Sequence, residues 1–362
     1  MKILQLNFEK GWRGGERQTL YCMMAFRDAG HEVELLARAG APLAQRAAEQ
    51  GFTVHAVKHV PAQIAFLATR GRRYDIIHAQ TANTVTWAVL TKSLHGRPVA
   101  FSRRTSFVVK PGEEWKTGGK WRRVDLFVAI SDMAAVEPRR LGIEPVIIRS
   151  AVLPARVDTE NLGRLSAEFK LPGKKIIATS AALIHDKDPL TMIRAVGELA
   201  KTRLDFVFVH FGAGGNNEEQ ARALVAELGL QSTYLFAGFR KGVEDFYAAM
   251  DVFAMSSREE ALGSSVFDAF LHRVPVVSTD AGGLKESLAD GRGILCPVED
   301  YQALAQGMGQ LLDDTPLRQA IVQRAYDYVR AEHDVRGMGD RYLAQFERVL
   351  RERGEARRVE AS

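Results

Sequence analysis

Short apolar runs alternate along nearly the whole chain with longer stretches whose apolar positions recur every three or four residues. The runs predict strands buried on both faces and the longer stretches amphipathic helices, so the alternation predicts β-α units built on parallel sheets. The rhythm occurs twice. Strands are predicted near residues 3–7, 33–37, 53–57, 75–79, 98–102, 126–130 and 145–149, with helices such as 18–29 and 84–94 between them. Residues 175–181, 205–211, 233–237, 252–255, 275–278 and 293–295 repeat it in the second half. Between the halves, residues 151–173 show weak periodicity, two prolines and scattered charges, which predicts an interdomain linker. Beyond Glu299 the pattern is helical to about Arg353, and no short repeat or low-complexity tract interrupts the chain.

Composition narrows the class. The 362 residues, 46% hydrophobic and 26% charged, suffice for two globular α/β domains, each with its own core. The two cysteines, Cys22 and Cys296, stand far apart in apolar surroundings, which predicts a reduced cytoplasmic protein without disulfides or a thiolate metal site. The N-terminus turns polar after a few apolar residues, and no run approaches the length of about 18 that spans a bilayer. Neither export nor a membrane span is expected.

The densest chemistry lies in Ser257-Arg258-Glu259-Glu260-Ala261-Leu262-Gly263-Ser264-Ser265-Val266-Phe267-Asp268. Glu260 falls in a strand-to-helix loop and Asp268 in the helix that follows. The amides of Gly263, Ser264 and Ser265 would stand at the positive end of that helix, a place suited to a phosphate or diphosphate. Carboxylates beside an anion hole suit a polyhydroxylated ligand carrying a diphosphate. An ordinary helix start capped by Ser264 or Ser265 is the plainer reading of the same residues. Other strand ends carry Gly14-Gly15 flanked by Arg13 and Arg17, Asp75-Ile76-Ile77-His78, and Ser102-Arg103-Arg104; Lys187 follows the first strand of the second half.

Taken in order with Ala281-Gly282-Gly283, these segments resemble the retaining glycosyltransferases of family 4, whose signature joins two glutamates with seven residues between them to a trailing glycine pair. The second acid here is Asp268. The resemblance implies the GT-B fold, two Rossmann-like domains with a cleft between them: residues 1–160 on the acceptor side, 161–335 binding the donor, and 336–362 a terminal helix and tail returning to the first. It implies that Gly14, Gly15, Lys187, Glu260, Leu262, Gly263, Ser264, Ser265 and Asp268 bind a nucleotide-diphosphate sugar, with Asp268 on the ribose hydroxyls and Glu260 on those of the sugar. Glu260, Lys187, His78 and Arg104 are the catalytic candidates. No cofactor or essential metal is implied, since lysine and amides hold the phosphates.

Two departures bear on that list. Ala182 stands where the family places an arginine aimed at the donor phosphates; Arg103, Arg104, Arg240 and Lys241 are candidate substitutes. Arg104 occupies the usual place of a histidine near the reacting sugar, which makes His78 the replacement by motif.

Net charge is +5, and basic residues crowd one segment: Arg103, Arg104, Lys116, Lys120, Arg122 and Arg123, with Trp115 and Trp121 among them. Three readings fit: a face docked on an anionic membrane, a site for an anionic or lipid-linked acceptor, or a solvated helix with its rings in the core. Nucleic acid is not expected, because no recognition motif accompanies the charge.

The expectation is a retaining transferase that moves a hexose or heptose from a nucleotide sugar to a hydroxyl of a lipopolysaccharide or other cell-surface glycan or glycolipid precursor. It would be cytoplasmic, with peripheral attachment to the inner face of the cytoplasmic membrane under the first reading of the basic patch. Two alternatives stand beside it. One is a non-catalytic sugar-nucleotide-binding protein. The other is an NAD-dependent oxidoreductase, suggested by Phe211-Gly212-Ala213-Gly214-Gly215 after a strand but lacking the third glycine at the needed spacing and an acidic residue about 20 positions on.

Overall fold

The computed structural model describes residues 1–154, 157–169, 171, 173–240 and 242–361, with side chains through 356. The chain forms two units: residues 1–153 together with the chain from Glu332 onward, and residues 154–331.

In the first unit β1 (Lys2–Asn7), β2 (Glu32–Arg38), β3 (Thr53–Val57), β4 (Ile76–Ala79), β5 (Val99–Arg103), β6 (Leu126–Ala129) and β7 (Val146–Ile147) form a parallel sheet in the order β3-β2-β1-β4-β5-β6-β7. Side chains alternate across it. Ile3, Leu35 and Val128 enter one core with Phe26, Tyr342 and Phe346, while Leu4, Leu6 and Ile77 enter the opposite core with Phe66 and Trp121. The terminal helix Val335–Ala361 thus completes a core begun by the first strand. Gly339 allows its close approach to the helix Gly14–Asp28, because a Cβ there would come within 2.5 Å of the Ala25 Cβ.

In the second unit β8 (Lys175–Ser180), β9 (Phe206–Phe211), β10 (Tyr234–Gly238), β11 (Val252–Met255), β12 (Val276–Thr279) and β13 (Ile294–Cys296) form a parallel sheet in the order β10-β9-β8-β11-β12-β13. Each sheet therefore reverses its strand order beside its first strand, between β1 and β4 in one unit and between β8 and β11 in the other. In open α/β sheets the carboxyl ends of the strands at such a reversal bind ligands.

Three local expectations change. The first helix begins at Gly14, not near Gln18: a Glu16 oxygen accepts the Arg13 amide at 2.9 Å and closes the first turn, which places the glycine pair in the helix. The stretch 151–173 contains a helix, Thr159–Glu168, started by Asp158, whose carboxylate accepts the amides of Glu160 and Asn161 at 3.0 and 3.1 Å. The helix predicted over 84–94 is two, Ala82–Leu90 and Lys92–His95, meeting at Thr91.

Candidate functional site

At the reversal point of the second sheet, the loop after β8 carries Lys187 and the loop after β11 carries Glu260. Lys187 Nζ lies 2.6 Å from Glu260 Oε1, both side chains about one-fifth exposed. Backbone contacts set this meeting. The amides of Arg258 and Glu259 donate to the Asp186 carbonyl at 2.8 and 3.3 Å, and Ser256 Oγ donates to the carbonyls of Lys187 and Asp188 at 3.0 and 2.8 Å.

Behind Glu260 stands the glycine pair. The Gly283 amide donates to the Glu260 carbonyl at 2.9 Å, and Ser287 Oγ to that of Leu262 at 2.8 Å. A Cβ on Gly283 would lie 2.3 Å from the Ala261 carbonyl oxygen, so only glycine lets the helix Gly283–Leu288 back the loop this closely. Gly263 holds a left-handed φ of 78° as N-cap of the helix Ser264–Leu271 and supplies no side-chain acceptor to the first amides. Ser265 Oγ turns instead to Met255 Sδ at 3.6 Å, so the serine-capped helix start is not what forms. Leu262 is buried, and Asp268 is half-buried on the helix.

The glycine loop after β9 has a structural use. Gly212 and Gly215, at φ of 130° and 131°, lie against the carbonyls of Ala181 and Leu183, where a Cβ would come to 1.9 and 2.3 Å. His210 reinforces the seat: Tyr234 Oη meets Nδ1 at 2.7 Å and Nε2 donates to the Ala181 carbonyl at 3.0 Å, while burial lowers the ring's pKa to about 4 and keeps it neutral. The Gly214 amide is already taken by Glu218 Oε2 at 2.8 Å, a carboxylate where a dinucleotide phosphate would need the donor. This removes the physical basis for the NAD reading.

In place of the arginine absent at Ala182, Arg240 is committed elsewhere: it pairs with Glu168, donates to the Ala237 carbonyl at 2.8 Å and lies over the Phe169 ring. Lys241 lies outside the described residues.

In the first unit, Arg104 follows β5 and reaches Gln80, after β4, through Nε at 3.1 Å and Nη2 at 2.6 Å, and Ser150 Oγ at 3.3 Å. Its Cδ is the nearest atom to the space over Gly15, at 4.0 Å from a Cβ built there. Arg104 and the helix start at Gly14-Gly15 are thus neighbours at this sheet's own reversal point. His78 is not part of that surface. It is fully buried, with Nε2 on Ser102 Oγ at 2.8 Å and Nδ1 near Gln5 Nε2 at 3.1 Å, and it packs on Tyr342 and Phe346. Burial, helped by the Arg104 charge, lowers its pKa to about 3. His78, expected at the substrate, lies here as a neutral ring in the core.

The basic segment divides. Arg103 is 3% exposed, donates to the carbonyls of Ala134 and Phe107, lies over the buried Trp121 ring, and has its pKa lowered by burial to about 10. Arg103 and Trp121 therefore leave the proposed surface. Lys120 is half-buried on Thr86 Oγ1 at 3.2 Å, and burial lowers its pKa. Lys116, Arg122 and Arg123 are exposed, as is Trp115 at 78%, and the same stretch of chain exposes two apolar side chains that the sequence reading did not single out, Phe107 at 61% and Val108 at 72%. Among the described residues no group of three or more His, Cys, Asp or Glu could hold a metal ion, and no helix is long and apolar enough to cross a membrane.

Comparison with known proteins agrees with this geometry. Residues 12–161 match the model for Glycosyltransferase Family 4, and residues 165–328 that for Glycosyl transferases group 1. The lipopolysaccharide core biosynthesis glycosyltransferase LpsE of Rhizobium meliloti is 27% identical over 46% of this chain and 48% of its own length. The 2-deoxystreptamine glucosyltransferase of Streptomyces kanamyceticus is 31% identical over 56% of this chain and 52% of its own. The chain thus spans about half the length of these curated relatives. The crystal structure of Anabaena HepE in complex with UDP and glucose superposes with a TM-score of 0.84 at 19% identity, covering 96% of this chain and 99% of that one. The two family matches lie end to end over all but the chain's extremities, on a pair of Rossmann-like units shared with glycosyltransferases of GT-B fold: the chain belongs to glycosyltransferase family 4.

Proposed function

We propose that the protein transfers a hexose or heptose, with retention of configuration, from a nucleotide-diphosphate sugar to a hydroxyl of a lipopolysaccharide or related cell-surface glycan precursor. The observation that carries this reading is the Lys187–Glu260 pair, at 2.6 Å, at the reversal point of the second sheet and beside the helix start at Gly263. The family supports sugar transfer, and the name of the LpsE relative supports the acceptor class.

In this reading Lys187 and the amides of Gly263, Ser264 and Ser265 hold the donor diphosphate. Glu260 binds sugar hydroxyls through Oε2, and Asp268 binds the ribose. The bond from the anomeric carbon to the diphosphate oxygen breaks as the acceptor oxygen attacks the same face, and the acceptor proton passes to the departing phosphate. Charge builds on the leaving diphosphate, so pre-placed cation and amides lower the barrier there most. No divalent metal is required for that role. The exposed face with Phe107, Val108, Trp115 and Lys116 is proposed to rest on the anionic inner surface of the cytoplasmic membrane, where a lipid-linked acceptor is presented.

The test is transfer from a panel of labelled UDP, GDP and ADP sugars to deacylated and intact lipopolysaccharide core acceptors, with and without excess EDTA. Transfer with the anomeric configuration retained, unaffected by EDTA, is the expected result. Binding of a nucleotide sugar without transfer or hydrolysis would favour the non-catalytic alternative, and loss of transfer in EDTA restored by magnesium would overturn metal independence.

A further inference from the structure

Lys187 and Glu260 are not the only charges joining their two loops. Asp188, 2% exposed and held at a left-handed φ of 44°, caps the helix Pro189–Ala200: its oxygens accept the Thr191 amide at 3.2 Å and Thr191 Oγ1 at 2.8 Å. Across from it, Arg258 Nε stands 3.0 Å from Asp188 Oδ2, and the same guanidinium pairs with Glu299 in the turn after β13. The two ion pairs are interleaved, since Asp188 follows Lys187 directly and Arg258 precedes Glu260 by two positions.

We propose that Arg258 is a positioning residue for the donor clamp: by holding the buried Asp188 carboxylate it keeps the Lys187 ammonium turned toward Glu260 and the leaving diphosphate. The inference rests on the reading of Lys187 as the phosphate ligand. Its physical basis is competition. A carboxylate buried to this degree demands a cation, and losing its partner is costly. Lys187 sits next in sequence on a flexible four-carbon stem. Without Arg258 the ammonium has two carboxylates to choose from, and attraction to the more buried one is less screened by water. Displacement of a catalytic contact by about 1 Å costs up to a hundredfold in rate.

The experiment measures binding of UDP, GDP and ADP by calorimetry, and kcat and KM with the matching sugar nucleotide, on the full chain. Arg258→Met is expected to lower kcat/KM about ten- to a hundredfold. The double variant Arg258→Met/Asp188→Asn, which removes the competing charge while keeping a capping oxygen, is expected to recover most of that loss together with nucleotide affinity; a role in stability alone would lower the melting temperature of Arg258→Met and leave the nucleotide affinity of its folded form at the wild-type value. If Arg258→Met does not fold, Arg258→Gln carries the same test, because the amide keeps a polar side chain there and removes the charge that holds Asp188. A double variant as impaired as the single one, or Arg258→Met within threefold of wild type while Lys187→Ala is inactive, overturns the positioning role and leaves the clamp standing. Full activity in Lys187→Ala, or no nucleotide bound by the wild type, overturns the clamp and this inference with it.

Discussion

Lys187 and Glu260 meet at 2.6 Å across the strands where the second sheet reverses its order, so a cation and a carboxylate share one ion pair at that point of the fold. Both are partly solvated, and a pair of this kind is worth about 1 kcal/mol or less to the fold. Under the proposed function its value lies in chemistry. Lys187→Ala is expected to leave the melting temperature within a few degrees of wild type and to reduce transfer by about two orders of magnitude or more, since a contact to the departing diphosphate is worth about 3 kcal/mol. Steady-state kinetics beside a thermal melt checks both halves, and activity within a few-fold of wild type refutes the clamp.

Gly283 makes a separate demand. An added Cβ would run into the Ala261–Leu262 peptide, 2.3 Å from the Ala261 oxygen, 2.6 Å from its carbon and 2.7 Å from Leu262 Cα, so the loop carrying Glu260 has to move. Gly283→Ala is expected to destabilise by about 1–3 kcal/mol and to cut kcat/KM at least about tenfold. Denaturant unfolding run alongside kinetics would show it; an unaltered kcat/KM would mean that the glycine serves only folding.

The alternation of strands and helices, the reversal-point loops and the residues on them were legible because each depends on local pattern or on a spacing within one loop. What was not legible depends on partners brought from far away. His78 sits at a strand end as a ligand-binding histidine would, and only Tyr342 and Phe346, from the last helix, show it to be core. Arg103 and Arg104 are adjacent in sequence, yet strand alternation sends one under Trp121 and the other to Gln80. Arg258 carried no motif, and Asp188 before a helix-starting proline signals only a cap; that its carboxylate is buried and faces a cation depends on the distant Arg258 loop. The glycine loop after β9 looked like phosphate chemistry because glycine marks any close backbone approach, and here the approach is to the protein's own carbonyls.

Two of the buried histidines, His78 and His210, contribute a pH dependence. His78 and His210 have pKa values lowered by burial to about 3 and about 4, against about 6.5 in the unfolded chain. Below pH 6.5 the unfolded state takes up protons that the folded state refuses, so stability is full above 6.5 and falls as the pH drops toward 4. Each histidine contributes a slope of about 1.4 kcal/mol per pH unit in that window. Urea unfolding between pH 7 and 5 measures it. His78→Gln is expected to be less stable at pH 7 and to show a slope shallower by about one proton, whereas an unchanged slope would mean that His78 titrates normally.

The exposed face of the first unit yields the last prediction. Phe107, Val108 and Trp115 are each more than half exposed, and Lys110, Lys116 and Arg123 stand exposed in the same stretch of chain. Isolated apolar side chains on a surface are ordinary, but three large ones set among cations combine the two terms that hold a peripheral protein on an anionic bilayer: insertion of apolar area and attraction to headgroups worth about 1 kcal/mol per basic residue. Because Arg103 and Trp121 are held in the core, the effect belongs to the remaining residues. Vesicle co-sedimentation is expected to rise with phosphatidylglycerol content and to fall between 50 and 500 mM salt, as screening shortens the reach of the charges to less than about 10 Å. Phe107→Ser/Trp115→Ser should weaken binding at every salt concentration, and Lys110→Ser/Lys116→Ser should remove the dependence on anionic lipid, both leaving nucleotide affinity intact because the residues proposed to hold the diphosphate and the ribose, Lys187, Gly263, Ser264, Ser265 and Asp268, lie in the other unit. Equal sedimentation of wild type with neutral and anionic vesicles would make this face a solvated one and return the membrane step of the proposed function to a soluble acceptor.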